Sequence, residues 1–93
     1  VDSFKISDKY SIVETKVPAK YIGMTLEQAN LTNSYGVIVL TTVNQRDVLE
    51  KGKNVKIKEA TGIAKSDTML REEDLLVLFG ELSNIKKLIQ KGE

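Results

Sequence analysis

Asp67, Glu72, Glu73 and Asp74 make the densest run of acidic side chains in this chain. Carboxylates that close together suit a cation site or an acid–base pair. A hard-cation loop, however, alternates its carboxylates and turns sharply at a glycine, and this stretch does neither. The plainer reading is a solvated turn ahead of an apolar strand at Leu75. Lys56 and Lys58 share one strand face and suit an anionic ligand, although lysines so placed also blunt an exposed sheet face or edge. None of the six glycines falls in the GxGxxG or GxxxxGK spacing that cradles phosphate. Ser11, Ser34 and Ser83 have no histidine to activate them, because the chain contains none. With no histidine and no cysteine, the usual general base, the commonest zinc ligand, thiolate sites and disulfides are all excluded. These residues point away from an enzyme.

Ninety-three residues bound the chain to one domain, with room for one compact core. Apolar residues are 41% and charged residues 29%, ordinary values for a globular protein. Phe4, Phe79, Tyr10, Tyr21 and Tyr35 are the only aromatics, so the core must be aliphatic. Fourteen basic and thirteen acidic side chains leave a net charge of +1, which offers no electrostatic footprint for nucleic acid. No apolar run approaches the length of a membrane span, so direct insertion is not expected. Cytoplasm is the default compartment.

The elements that must position any site can be read in order. Tyr10 to Val17 alternates, with Val13, Thr15 and Val17 on one face and Ile12, Glu14 and Lys16 on the other, and Pro18 stops it. Thr25 and Gln28 have capping-box spacing and predict a short helix running to Tyr35, with Gly36 just beyond its end. Val37 to Val43 predicts a strand that is apolar on both faces. Such a strand is either central among packed layers or lies against a second subunit. Gln45 to Asn54 is charged and is expected as an exposed, mobile loop. Asn54 to Glu59 alternates, with Val55 and Ile57 inward. Leu75 to Phe79 is a second continuous apolar strand closed by Gly80. Leu82, Ile85, Leu88 and Ile89 have helical spacing, and Lys86, Lys87 and Lys91 cluster towards the end of that helix, where the dipole favours them. The order is β-α-β-β-β-α: an α+β domain with helices on a small, mainly antiparallel sheet.

Taken together, SDKYSIVETKVP, IGMTLEQANLTNSYGVIVLTTV and TMLREEDLLVLFG resemble the C-terminal domain of potassium-conductance regulators, the RCK-C or TrkA-C domain. The likeness is greatest to regulatory subunits of Ktr/Trk potassium-uptake systems and covers about residues 8 to 90. Its marks are the strand SIVETKVP, then Gly23 and Leu26 opening the helix, then Tyr35-Gly36, and last Asp74 through Gly80. The resemblance implies an RCK-C-like fold over residues 10–93, with residues 1–9 a linker from a missing N-terminal half. It implies a homodimer whose interface includes Leu31, Tyr35, Val37, Ile38 and Val39. It also implies a membrane potassium channel or transporter subunit as partner, and a place at the inner face of the cell membrane through that partner.

In some members of that family the paired domains bind cyclic di-AMP at their interface. The family's positions fall at Leu31, Thr32, Val37 and Ile38, and the candidate ligand residues here are these four with Leu26 and Lys58. Thr32 stands where the family pocket has arginine, Ile38 where it has asparagine, and no proline follows near Lys58. A neutral hydroxyl cannot replace the charged fork that arginine offers to phosphate. The expectation is therefore no resident cofactor, with cyclic di-AMP bound weakly or replaced by another nucleotide or effector. The overall reading is a regulatory, ligand-responsive dimerisation domain that controls gating. Two alternatives stand beside it: the same domain type within another transporter class, and an amino-acid-sensing regulatory domain of a metabolic enzyme. The latter usually wants a glycine-rich turn after its first strand, and the turn from Pro18 to Gly23 has one glycine.

Overall fold

The computed structural model describes residues 2–93. Its centre is a five-stranded sheet in which every pairing is antiparallel, in the order β1-β2-β5-β3-β4. The strands are β1 (Asp2–Lys5), β2 (Tyr10–Lys16), β3 (Ile38–Glu50), β4 (Lys53–Ala60) and β5 (Leu75–Glu81). The helices are α1 (Leu26–Ala29), α2 (Leu31–Tyr35) and α3 (Leu82–Lys91). This is the small antiparallel α+β architecture expected of the sequence.

β2 alternates as its residue types require: Ser11, Val13 and Thr15 are buried, while Ile12 and Glu14 are only half-buried. Its partner β5 lies at the middle of the sheet, so the apolar run LLVLFG has strands on both sides. Leu76 and Leu78 face the helices and are fully buried. α3 lays Ile85 and Leu88 onto that face, where they join Val13, Val17, Tyr21, Leu31, Val37 and Leu70 in one core. Fully burying such aliphatic side chains contributes about 1.5–3 kcal/mol each before conformational entropy is charged against it.

Three local features differ from the sequence reading. The helix expected through Tyr35 is two short helices, because Asn30 takes a left-handed conformation (φ 54°, ψ 40°) between them. The capping box itself is present: Gln28 N–H donates to Thr25 Oγ1 at 3.2 Å, and Thr25 N–H to Gln28 Oε1 at 2.9 Å. Secondly, Asp2–Lys5, inside the stretch expected as a linker, pairs with β2 in the register Phe4 with Ile12.

The third difference is the largest. Residues 45–54, expected as a mobile loop, belong to the long β3–β4 hairpin, whose register runs from Val43–Ala60 to Glu50–Lys53. Lys51 (φ 51°) and Gly52 (φ 77°) make the two-residue turn. Positive φ at both central positions is the twist that a tight hairpin needs. No residue from Asn44 to Asn54 is fully buried, so this part of the ribbon tolerates charge on both faces, which hid the strand.

The connection from β4 to β5 is strapped to the rest of the chain. Gly23 N–H donates to the Leu70 carbonyl and Leu70 N–H to the Met24 carbonyl, both at 2.8 Å. Those bonds seat Leu70 in the core with no exposure.

Candidate functional site

The expected ligand residues do not share one place within the chain. Leu26, Leu31 and Thr32 line a hollow of about 290 Å³ between the α1–α2 corner and the strap residues Ala64, Lys65 and Ser66. Thr32 is exposed, and its Oγ1 donates to the Val37 carbonyl at 2.8 Å, tying α2 to the start of β3. Leu31 and Val37 are 3% and 0% exposed, so their side chains belong to the core. Ile38 is 50% exposed and pairs with Phe79 on the face away from the helices. Lys58 stands elsewhere again, on β4, with its Nζ 2.9 Å from Glu14 Oε1.

The expected pairing residues divide in the same way. Leu31 and Val37 are buried, and Tyr35 and Val39 are partly buried against the core. Ile38 alone of the five points to the open face. There the strand register sets up a feature that no single segment of sequence announces. Phe4 on β1 lies opposite Ile12 on β2, Ile12 opposite Phe79 on β5, and Phe79 opposite Ile38 on β3. The result is an apolar row across four adjacent strands. Tyr10 extends it, stacked on Phe79 with ring centroids 5.6 Å apart. Phe4 is 66% exposed and Tyr10 41%, so nothing among the described residues covers this end of the face. Large contiguous exposed apolar patches are the kind of surface through which proteins meet partners.

Two clefts lie towards the other end of β2. One, of about 650 Å³, has apolar walls from Val17, Pro18, Leu75 and Ile89, with Glu14 and Lys58 among its lining. The Glu14–Lys58 ion pair joins strands that are separated in the sheet by β5 and β3, so the sheet must curl to let them meet. The second, of about 590 Å³, is lined by Glu72, Glu73, Asp74, Lys16, Lys56 and Gln45. Here the acidic run is resolved into distinct roles. Glu72 and Glu73 are exposed, whereas Asp74 is buried, with Asn44 Nδ2 at 3.4 Å from its Oδ1. Burial, reinforced by the charge of Glu73, pushes the Asp74 carboxyl above its ordinary value, against the opposing pull of Arg71 and Asn44. Among the described residues, no cluster of acidic side chains is arranged to hold a metal ion.

No family model matches this chain, and no curated protein does. Solved structures do. A structure titled "Crystal Structure of the GsuK RCK domain" superposes with a TM-score of 0.65 at 21% identity, over 96% of this chain. The fold is RCK-like. This chain spans 17% of the length of that RCK-domain chain. No helix among the described residues is long and apolar enough to cross a membrane.

Proposed function

We propose that this chain is a regulatory domain of the RCK C-terminal, TrkA-C type, serving a potassium transport system and performing no catalysis of its own. The observation that supports the reading best is the RCK-like fold across 96% of the chain, carrying the motifs SIVETKVP to LLVLFG in the family's order. The domain includes β1, because Asp2–Lys5 pairs with β2 in its sheet. The parent protein works at the cytoplasmic face of the membrane, held there by a channel or transporter subunit.

Two copies pair through the open sheet face. Ile38 is the anchor, with Phe79, Ile12 and Phe4 beside it, because Leu31 and Val37 are already buried in their own core. A small effector in the hollow beside Leu26, Leu31 and Thr32 favours one arrangement of the pair, and the channel gate follows the shift in population. Because Thr32 and Ile38 replace the family's charged and amide groups, cyclic di-AMP is a weak effector here at most.

Sedimentation at high protein concentration tests the pairing: a dimer is expected, and Ile38→Asp should split it, whereas a monomer overturns it. Growth under potassium limitation, with and without the parent gene, tests the transport role; equal growth would count against it. Calorimetry with cyclic di-AMP should give binding weaker than micromolar.

A further inference from the structure

We infer that the cleft holding the Glu14–Lys58 ion pair is a binding site for a free α-amino acid with a large apolar side chain. It lies within one chain and stands independently of the pairing and potassium readings.

Charge restricts the ligand first. The cleft is lined by two acidic residues, Glu14 and Glu93, and two basic ones, Lys16 and Lys58. Such a lining presents side chains of both signs. A nucleotide phosphate would meet two carboxylates in it, and a divalent cation two ammonium groups. A ligand carrying one charge of each sign meets a partner for both.

Distance then narrows the class. Lys58 Nζ and Glu14 Oε1 are 2.9 Å apart, so the two protein charges are adjacent. The ligand charges that can pair with both at once must also be adjacent. In an α-amino acid a single carbon separates ammonium from carboxylate, whereas a dipeptide holds them a full residue further apart. The ligand ammonium donates to the Glu14 carboxylate, and the ligand carboxylate accepts from the Lys58 ammonium. The four charges then alternate around a small ring.

The pair is open to solvent at Lys58, whose side chain is 46% exposed, and half-buried at Glu14, whose side chain is 24% exposed. Lys58 also sits on β4, which pairs with β3 alone, so its strand can move with it.

The walls supply the rest of the specificity. Val17, Pro18, Leu75 and Ile89 are apolar, and the cleft falls in the volume range of small-molecule sites at about 650 Å³. Burying an aliphatic or aromatic side chain there is favourable in proportion to its apolar area. Leucine and phenylalanine suit these walls; glycine and aspartate do not.

Isothermal titration calorimetry on the 93-residue chain tests the site. L-leucine or L-phenylalanine is expected to bind with a dissociation constant of about 1 mM or tighter. Isopentylamine, 4-methylpentanoate and leucyl-leucine, which lack one charge or separate the two, should bind at least roughly tenfold more weakly. Glu14→Gln and Lys58→Met should each weaken leucine or phenylalanine binding by a similar factor while leaving the melting temperature near that of the parent. The proposal is overturned if neither amino acid gives heat at 10 mM, on the order of the weakest affinity that would matter. It is equally overturned if the amine or the dipeptide binds as tightly, or if neither substitution changes the affinity.

Discussion

Asp74 is 4% exposed, one residue ahead of β5, and its carboxyl is held above the ordinary value of 3.8 chiefly by burial. A raised carboxyl pKa in the folded state means that folding prefers the protonated form. Its contribution is therefore fully present below pH 3.8 and is lost as pH rises through the folded value. At neutral pH the ionised group is a net cost. Asp74→Asn keeps an acceptor for Asn44 and removes the charge, so it should melt higher than the parent at pH 7, with the gap closing as pH falls towards 4. Thermal melts across that range check it; a constant gap would assign the effect to packing instead. Gly80 shows a different residue-scale constraint. A Cβ there would meet Val37 Cγ1 at 3.0 Å and the Gly36 carbonyl oxygen at 3.3 Å. Gly80→Ala is expected to cost about 1–3 kcal/mol in urea unfolding, because β5 must back away from the α2–β3 corner.

At the scale of elements, the β3–β4 ribbon is the least supported part of the fold. β3 is paired with β5 only over Ile38–Val43, and beyond Val43 it is paired with β4 alone. Leu49, near its tip, is 76% exposed. A two-stranded hairpin without a packed face is marginal by itself. Amides of residues 46–50 and 53–57 should therefore exchange with deuterium on the order of a hundredfold faster than those of Val13 and Leu76–Leu78. Exchange mass spectrometry on the isolated chain measures this, and equal protection would show that the ribbon folds as part of the core. The ribbon also shows why sequence reading missed a strand. Apolar alternation reports a strand only when one face is buried, and between Asn44 and Asn54 neither face is. β2, by contrast, was legible because Val13 and Thr15 are buried while Glu14 and Lys16 are not.

For the whole molecule, the two faces of the sheet have separate consequences although their residues are neighbours. Leu78 faces the helices with no exposure, and Leu78→Ala should cost about 2–5 kcal/mol by leaving a cavity. Ile38 lies opposite Phe79, the next residue along, on the open face. Ile38→Asp should leave the stability of the dilute chain within about 0.5 kcal/mol, as surface changes do, while abolishing pairing. Denaturant melts at low concentration and sedimentation at high concentration separate the two effects. A large loss of stability from Ile38→Asp in dilute solution would mean that the residue serves its own fold. The candidate site was legible only in part for the same geometric reason. Leu31 and Val37 are apolar beside a helix end, and their types cannot say whether a ligand, a partner or their own core covers them.

By itself the chain of residues determined the alternation of β2, the capping box at Thr25, the apolar course of β5 and the inward stripe of α3. Each of these is a local period or a local hydrogen bond, set by residues a few positions apart. Tertiary structure alone decided that Phe4, Ile12, Phe79 and Ile38 form one row, and that Glu14 and Lys58 meet across a cleft. Those neighbours are brought together by strand order and by the curl of the sheet, and neither is encoded in the spacing of any one segment.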